Sequence, residues 1–213
     1  MLVKEVSTCI NQQFRDYLLN DPTYPMPYEI CYIDAKKQII EEDHSTDSIY
    51  IIASGVAIEQ HEERILQFLG NNASFGIDAM FNAGTTATSV MALTKMVLYK
   101  FSIHDIRSKI AARPVGATLL GNMLSHHVLT LTEQLTDTSS NYDKTLKILR
   151  TLASFYGEEK NSAIYVNKYF TKKMIANYLQ ISYSTVASIF RGLIAEGILH
   201  DEPHGIILYP AAI

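Results

Sequence analysis

Hydrophobic and polar positions change rhythm several times along the chain. Over residues 10–19 the apolar positions recur at helical spacing, and Asn20-Asp21-Pro22 ends the run. Pro22-Thr23-Tyr24-Pro25-Met26-Pro27 predicts an extended connector, because each proline fixes its own φ and disfavours helix in the residue before it. From Tyr28 to about Ser102 the pattern becomes a series of short β-prone runs, at 29–33, 38–40, 49–53, 56–59, 65–69, 88–93 and 96–101. Turn-forming groups such as Asp43-His44-Ser45, Ser54-Gly55, Gly70-Asn71-Asn72 and Asn82-Ala83-Gly84 separate them. Short strands so punctuated predict an antiparallel, jelly-roll-like β-roll, and the chain as a whole reads as α+β.

At Ser102 the period turns helical again. A short helix opens at Ser102-Ile103-His104-Asp105 and ends near Ala112-Arg113. Pro114 then starts a long helix over about 115–135, roughly 30 Å at about 1.5 Å per residue. Leu119, Leu120, Met123, Leu124, Val128, Leu131 and Leu135 make two adjacent apolar stripes on it, more than one packing partner needs. One stripe is expected to lie on the roll. The other is expected to meet the same helix of a second chain, with Leu120, Met123, Leu124, His127 and Leu131 in the contact. Residues 137–141 are a polar hinge and N-cap region, and an amphipathic helix over 142–156 is stopped by Gly157. Three parts result: a roll with flanking helices (1–113), a long helix and hinge (114–138), and a C-terminal part (139–213).

The C-terminal part carries the most specific pattern. Apolar residues fall at Ile175, Leu179, Ile181, Val186, Ile189 and Leu193, helical on each side of a break between Leu179 and Ser182. Two short helices crossing steeply around a small core produce that pattern, with Ala176 allowing close approach. Thr171 and Ser182 stand where N-caps belong. The second helix, over 182–193, presents Tyr183, Ser184, Thr185, Ser188 and Arg191 on its open side, all suited to touching base edges in a major groove. Thr171 and Lys172 open the bracing helix and are expected at phosphates. Gln180 occupies the turn position where glycine is common, so the turn is either strained or differently shaped. The polar turn His200-Asp201-Glu202-Pro203-His204-Gly205, flanked by Ile198-Leu199 and Ile206-Ile207-Leu208-Tyr209, predicts a hairpin, which makes the motif a winged helix whose wing can reach phosphates.

Charge adds a modest signal. The net charge is −4, but from Lys144 onward eight cations face five anions, a net of +3 that leaves −7 on the first 143 residues. An acidic front and a basic back suit a sensor joined to a DNA reader. Cys9 and Cys31 are the only cysteines, each expected to be a small buried hydrophobe. With no signal peptide and no run long enough to span a bilayer, the expected location is cytoplasmic, with no membrane partner.

Taken together, Ile49-Tyr50-Ile51-Ile52-Ala53-Ser54-Gly55, Phe75-Gly76 and the 171–199 motif resemble the Crp/Fnr family of bacterial transcription regulators, over nearly the whole chain. The resemblance implies a homodimer formed through the long helix, operator DNA and RNA polymerase as partners, and a small effector between roll and long helix. On that analogy Phe75, Thr85, Thr86, Thr130 and Glu133 border the effector pocket. Two departures from the family pattern carry consequences. Cyclic-AMP-binding members have a Glu soon after the Phe-Gly and an Arg further on. Here Ile77-Asp78-Ala79-Met80 follows, and the Arg position is Thr86, so a cyclic phosphate loses its forked cation and meets Asp78. Where members reading TGTGA use Arg, Glu and Arg, this chain has Tyr183, Ser184 and Ser188, which implies a different two-fold symmetric operator.

Catalysis finds no support. There is no nucleophile elbow, glycine-rich phosphate loop or metal-ligand cluster, so no metal and no cofactor are expected. His126-His127 point in different directions on a helix, and His200 and His204 flank the wing turn. A cupin-like enzyme would need ligands from the strands, and the roll offers only His44 and His61. The remaining alternative is a ligand-sensing roll whose helix-turn-helix docks a protein.

Overall fold

The run Ile49-Tyr50-Ile51-Ile52 is apolar at every position, and a strand of that composition needs cover on both faces. In the computed structural model, which describes residues 2–160 and 163–209, it is the middle of β3 (Ser48–Ser54). Ile49 and Ile51 point into a cluster with Phe14, Leu18, Phe101 and Ile106. Ile52 points the other way, into a cluster with Phe75, Val90 and Leu98. The period-two alternation of one strand thus feeds two cores.

The other strands of the roll are β1 (Glu29–Ile33), β2 (Gln38–Ile40), β4 (Ala57–His61), β5 (Arg64–Leu69), β6 (Ser74–Phe75), β7 (Ser89–Ala92) and β8 (Met96–Ser102). They form two antiparallel sheets, ordered β1-β8-β3-β6 and β2-β7-β4-β5. Outside the first sheet lie α1 (Leu2–Leu19), α2 (Ile103–Ala112) and the start of α3 (Val115–Thr136), which contribute Tyr17, Ile103 and Leu120 to the outer cluster. Gly76 follows β6 at φ +81°, and a Cβ there would sit 3.0 Å from both the Ser48 carbonyl and the Ile40 side chain, so the Phe-Gly corner has room only for glycine.

One buried cation ties these helices together. Lys109 of α2 is fully buried, with Nζ 2.8 Å from the Tyr24 carbonyl and 3.4 Å from Asp21 Oδ2. It lies 4.8 Å from the Tyr17 ring centre and 5.7 Å from that of Tyr24. Burial pushes its pKa down, and Asp21 pulls it back up. The Thr23 hydroxyl, with help from Lys109, holds the Asp21 carboxyl down at about 2.

The chain divides into two compact units, Met1–Asp137 and Thr138–Ile213, with the long helix in the first. The second unit contains α4 (Asn141–Tyr156), β9 (Glu158–Lys160), β10 (Ala163–Asn167), α5 (Lys172–Leu179), α6 (Tyr183–Ala195), β11 (Leu199–Glu202) and β12 (Gly205–Leu208). Its sheet runs β11-β12-β10-β9, antiparallel throughout. Leu149, Leu152, Val166, Phe170, Ile175, Val186, Phe190 and Leu193 are buried within it.

The architecture is the expected α+β roll, long helix and winged helix-turn-helix, with local corrections. The first helix begins at Leu2 rather than near Ile10. The two-residue strand β6 and a single 3-10 turn at Asp78–Met80 are too short to show a periodicity. Strands β9 and β10 extend the wing into a four-stranded sheet. The polar wing turn is tighter than expected, because His200, Asp201 and Glu202 are strand residues and only Pro203 and His204 turn. Cys9 is exposed, so only Cys31, half-buried beside the inter-sheet core, acts as a small hydrophobe.

Candidate nucleic-acid interface

Capping sets the two helices of the motif. The Thr171 hydroxyl accepts from Met174 N at 3.2 Å, and the Ser182 hydroxyl accepts from Thr185 N at 3.0 Å. Between them Gln180 adopts the left-handed conformation, φ 56° and ψ 42°, and Ile181 N returns to the Ala176 carbonyl at 3.1 Å. The turn therefore has the ordinary helix-ending geometry, with a glutamine where glycine is cheaper. Ile175, Ala176, Val186, Phe190 and Leu193 face inward. Tyr183, Ser184, Ser188 and Arg191 are exposed, and Thr185 is half-buried.

The exposed N-terminal end of α6 is rich in hydroxyls. Ser182 Oγ lies 2.8 Å from Ser184 Oγ and 2.7 Å from Thr185 Oγ1. These groups can each donate or accept, and they stand where the unpaired amides of the helix favour an anion. The wing braces the motif from the other side. The His204 carbonyl accepts from Lys168 N at 3.0 Å and from the Tyr165 hydroxyl, which holds the turn to β10.

Two expected phosphate contacts are already engaged. Thr171 spends its hydroxyl on the cap. Lys172 Nζ lies 2.5 Å from Asp201 Oδ2 of the wing and 5.0 Å from the Phe190 ring centre. Nor does the wing offer a cation of its own, since residues 199–205 contain Asp201 and Glu202 and no Lys or Arg. Sequence reasoning also passes over Lys168 and Lys173, exposed residues that border, with Lys172 and Tyr183, an open basin of about 270 Å3 between wing and helices. Their signal is present as a local cluster of cations around residue 170.

In the roll, the residues expected around an effector are unevenly placed. Phe75 is buried and stacks on Tyr50, with ring centres 5.2 Å apart. Thr86 is buried too, and its hydroxyl donates to the Glu41 carbonyl at 2.9 Å, so it is not presented to a ligand. Thr85 is half-buried, paired by a bridge to Ser45. On α3, the Thr130 hydroxyl donates back to His126 O at 3.0 Å, and Glu133 is exposed. Asp78 Oδ2 accepts from Ala87 N at 2.6 Å, so that amide is satisfied by the chain's own carboxylate.

The long helix separates its two stripes. Leu120 lies in the core with Phe14 and Tyr17, and Leu119 and Met123 pack beside it. Leu120 is thus corrected from the outward stripe to the inward one. The outward stripe is Ala117, Gly121, Leu124, Val128, Leu131 and Leu135, with Leu124 43%, Val128 61% and Leu135 75% exposed. The steps alternate four and three, the repeat of a two-helix seam, over about 27 Å. His127 is half-buried. A Cβ at Gly121 would meet nothing within 4 Å, which leaves room for another backbone.

Comparison with known proteins agrees with this layout. Residues 31–113 match the family model of the cyclic nucleotide-binding domain. The chain is 24% identical over 177 residues to a CRP-like cAMP-activated global transcriptional regulator of Mycobacterium tuberculosis, covering 80% of this chain and 79% of that protein. Among solved structures, FixK2 from Bradyrhizobium japonicum superposes with a TM-score of 0.75 at 12% identity, covering 87% of this chain and 93% of that one. A transcriptional regulator of the CRP/FNR family from Thermus thermophilus superposes with a TM-score of 0.71 at 18% identity, covering 84% and 93%. The chain has the fold of these regulators, a nucleotide-binding-type roll followed by a helix-turn-helix, and its relatives are regulators rather than enzymes. Among the described residues no helix is long and apolar enough to cross a membrane.

Proposed function

We propose that this chain, with a cyclic nucleotide-binding-type roll and the CRP/FNR fold, is a homodimeric, sequence-specific DNA-binding transcription regulator. The observation that carries the reading is the outer face of α6: Tyr183, Ser184, Ser188 and Arg191 are exposed on a helix whose opposite face is anchored by Val186, Phe190 and Leu193. A capped helix fixed from behind and polar in front is what enters a major groove. The outward stripe on α3 supplies the dimer seam through Leu124, Val128, Leu131 and Leu135. A two-fold dimer sets two recognition helices about 34 Å apart on one side of a duplex. RNA polymerase enters as a partner only through the resemblance.

We infer that cyclic AMP is not the effector of this chain. Supporting this, the 85–90 segment carries no cation. The Thr86 hydroxyl is spent inside the roll, and the Asp78 carboxylate already holds the Ala87 amide. An incoming cyclic phosphate would find a carboxylate in place of a guanidinium. Titration calorimetry with cyclic AMP is expected to show no binding heat at micromolar concentrations, and a micromolar affinity overturns this part.

The test of the main reading is selection of duplexes from a random library, followed by fluorescence anisotropy of the enriched sequence across salt. Salt-dependent binding to a two-fold symmetric site is expected. Arg191→Ala and Tyr183→Ala are each expected to weaken it about tenfold or more. Enrichment of no sequence, or wild-type affinity in both variants, overturns the reading in favour of a protein-docking helix-turn-helix. Sedimentation of Leu124→Asp, expected as monomer where the wild type is dimer, tests the seam.

A further inference from the structure

We propose that Asp201 of the wing is a built-in competitor for DNA, holding the Lys172 ammonium that a backbone phosphate would otherwise take. The inference rests on the DNA-binding reading above and adds a residue that sets affinity without touching a base.

Three observations carry it. Lys172 stands at the first turn of α5, beside the capped N-terminus, where a phosphate is favoured by the helix amides. Its position is fixed from two sides, by Asp201 Oδ2 at 2.5 Å and by the Phe190 ring at 5.0 Å, so the ammonium is aimed at the wing. Both partners remain open to water, with side-chain exposures of 27% for Lys172 and 33% for Asp201. They stand on the wall of the basin that Lys168, Lys173 and Tyr183 also border.

An exposed ion pair of this kind is worth little net free energy, so a polyanion can displace it. Displacement is not free, however. A phosphate must take the Lys172 ammonium from Asp201, and where Asp201 keeps it one backbone phosphate goes without its cation. The wing has no cation between residues 199 and 205 to replace it. Asp201 therefore lowers affinity for every sequence equally, since it acts on the phosphate and not on a base edge. Such a brake leaves the ratio of operator to non-specific affinity unchanged and raises the protein concentration at which either is occupied.

The experiment uses full-length protein and two probes, a random-sequence duplex of about 30 bp and a duplex enriched by selection, read by anisotropy between about 50 and 200 mM salt. Asp201→Asn is expected to tighten binding to both probes about fivefold and to steepen the salt dependence by about 0.9 in log–log slope, the increment for one more neutralised phosphate. Glu202→Gln removes the same charge from the same basin while leaving the Lys172–Asp201 pair in place. It is expected to tighten binding less than twofold. In a Lys172→Met background, which keeps the apolar stem over Phe190, Asp201→Asn is expected to shrink to the Glu202→Gln effect. Thermal melts of the wild type and each variant confirm that they are folded. If the wild type binds and Asp201→Asn is no tighter than Glu202→Gln, or if its effect survives in the Lys172→Met background, the proposal is overturned while the DNA-binding reading stands. If the wild type and every variant fail to bind either duplex, the DNA-binding reading fails and takes this proposal with it.

Discussion

Lys109 in the roll and Lys172 in the winged helix are built from the same parts. Each ammonium faces an aspartate, Asp21 at 3.4 Å and Asp201 at 2.5 Å, and each lies near an aromatic ring. Their surroundings differ. Lys109 is fully buried and also donates to the Tyr24 carbonyl, whereas Lys172 keeps contact with water. Buried, the pair is committed, because removing one member strands the other in a low dielectric. Exposed, it is provisional, because solvent and other ions compete for both members. The difference assigns the first pair to holding α1, α2 and the 20–27 connector together, and makes the second exchangeable.

Four variants test that contrast. Lys109→Ala has the largest expected effect, a loss of about 3 kcal/mol in unfolding free energy measured by denaturant titration. A value below about 1 kcal/mol would place the burial of Lys109 outside the stabilising core. Gly116→Ala comes next. Its Cβ would lie 2.5 Å from the Tyr17 ring, which is itself fixed by a 3.1 Å bond from its hydroxyl to the Arg113 carbonyl. Relief requires moving the ring that floors the Lys109 cage, and about 2 kcal/mol of destabilisation is expected.

Asp21→Asn is expected to be milder and to show in pH dependence. The folded carboxyl, held at about 2, sits below the ordinary aspartate value of about 3.9. Its contribution is therefore complete above about pH 4 and is lost as pH falls toward about 2. Wild-type denaturation midpoints should fall through that window, and those of Asp21→Asn should fall less. Equal slopes would show that the carboxylate is not the acid-sensitive partner. Lys172→Met should change stability least, by under about 0.5 kcal/mol, while weakening DNA binding. A stability loss as large as that of Lys109→Ala would dissolve the distinction between the two pairs.

Much of this layout is legible in the sequence because periodicity and capping are local signals. The caps at Thr171 and Ser182, the apolar run of β3 and the two stripes of α3 can be read directly. Strands β9 and β10 escape such a reading because Gly157 marks the end of a helix and the next residues, Glu158 and Glu159, are acidic; β9 pairs with β10, and β10 takes its other partner from β12, some forty positions on. Leu120 reads as part of the outward stripe because two adjacent stripes on a helix differ by one residue, and only the packing of Tyr17 and Phe14 decides which is inward. The Lys172–Asp201 pair is likewise invisible in one dimension. The composition of the wing shows the acid, but only the hairpin's return beside α5 shows which cation it meets.

The row of leucine and valine on the outer side of α3 has a consequence for abundance. A lone chain carries that row bare, and uncovered aliphatic surface of this kind invites clumping with whatever else is sticky. If twin chains cover it, the competent population grows with the square of how many copies are made while the chains are scarce, and only linearly once they are plentiful. Expression level then becomes a control on promoter occupancy in its own right, steepest where the protein is rarest.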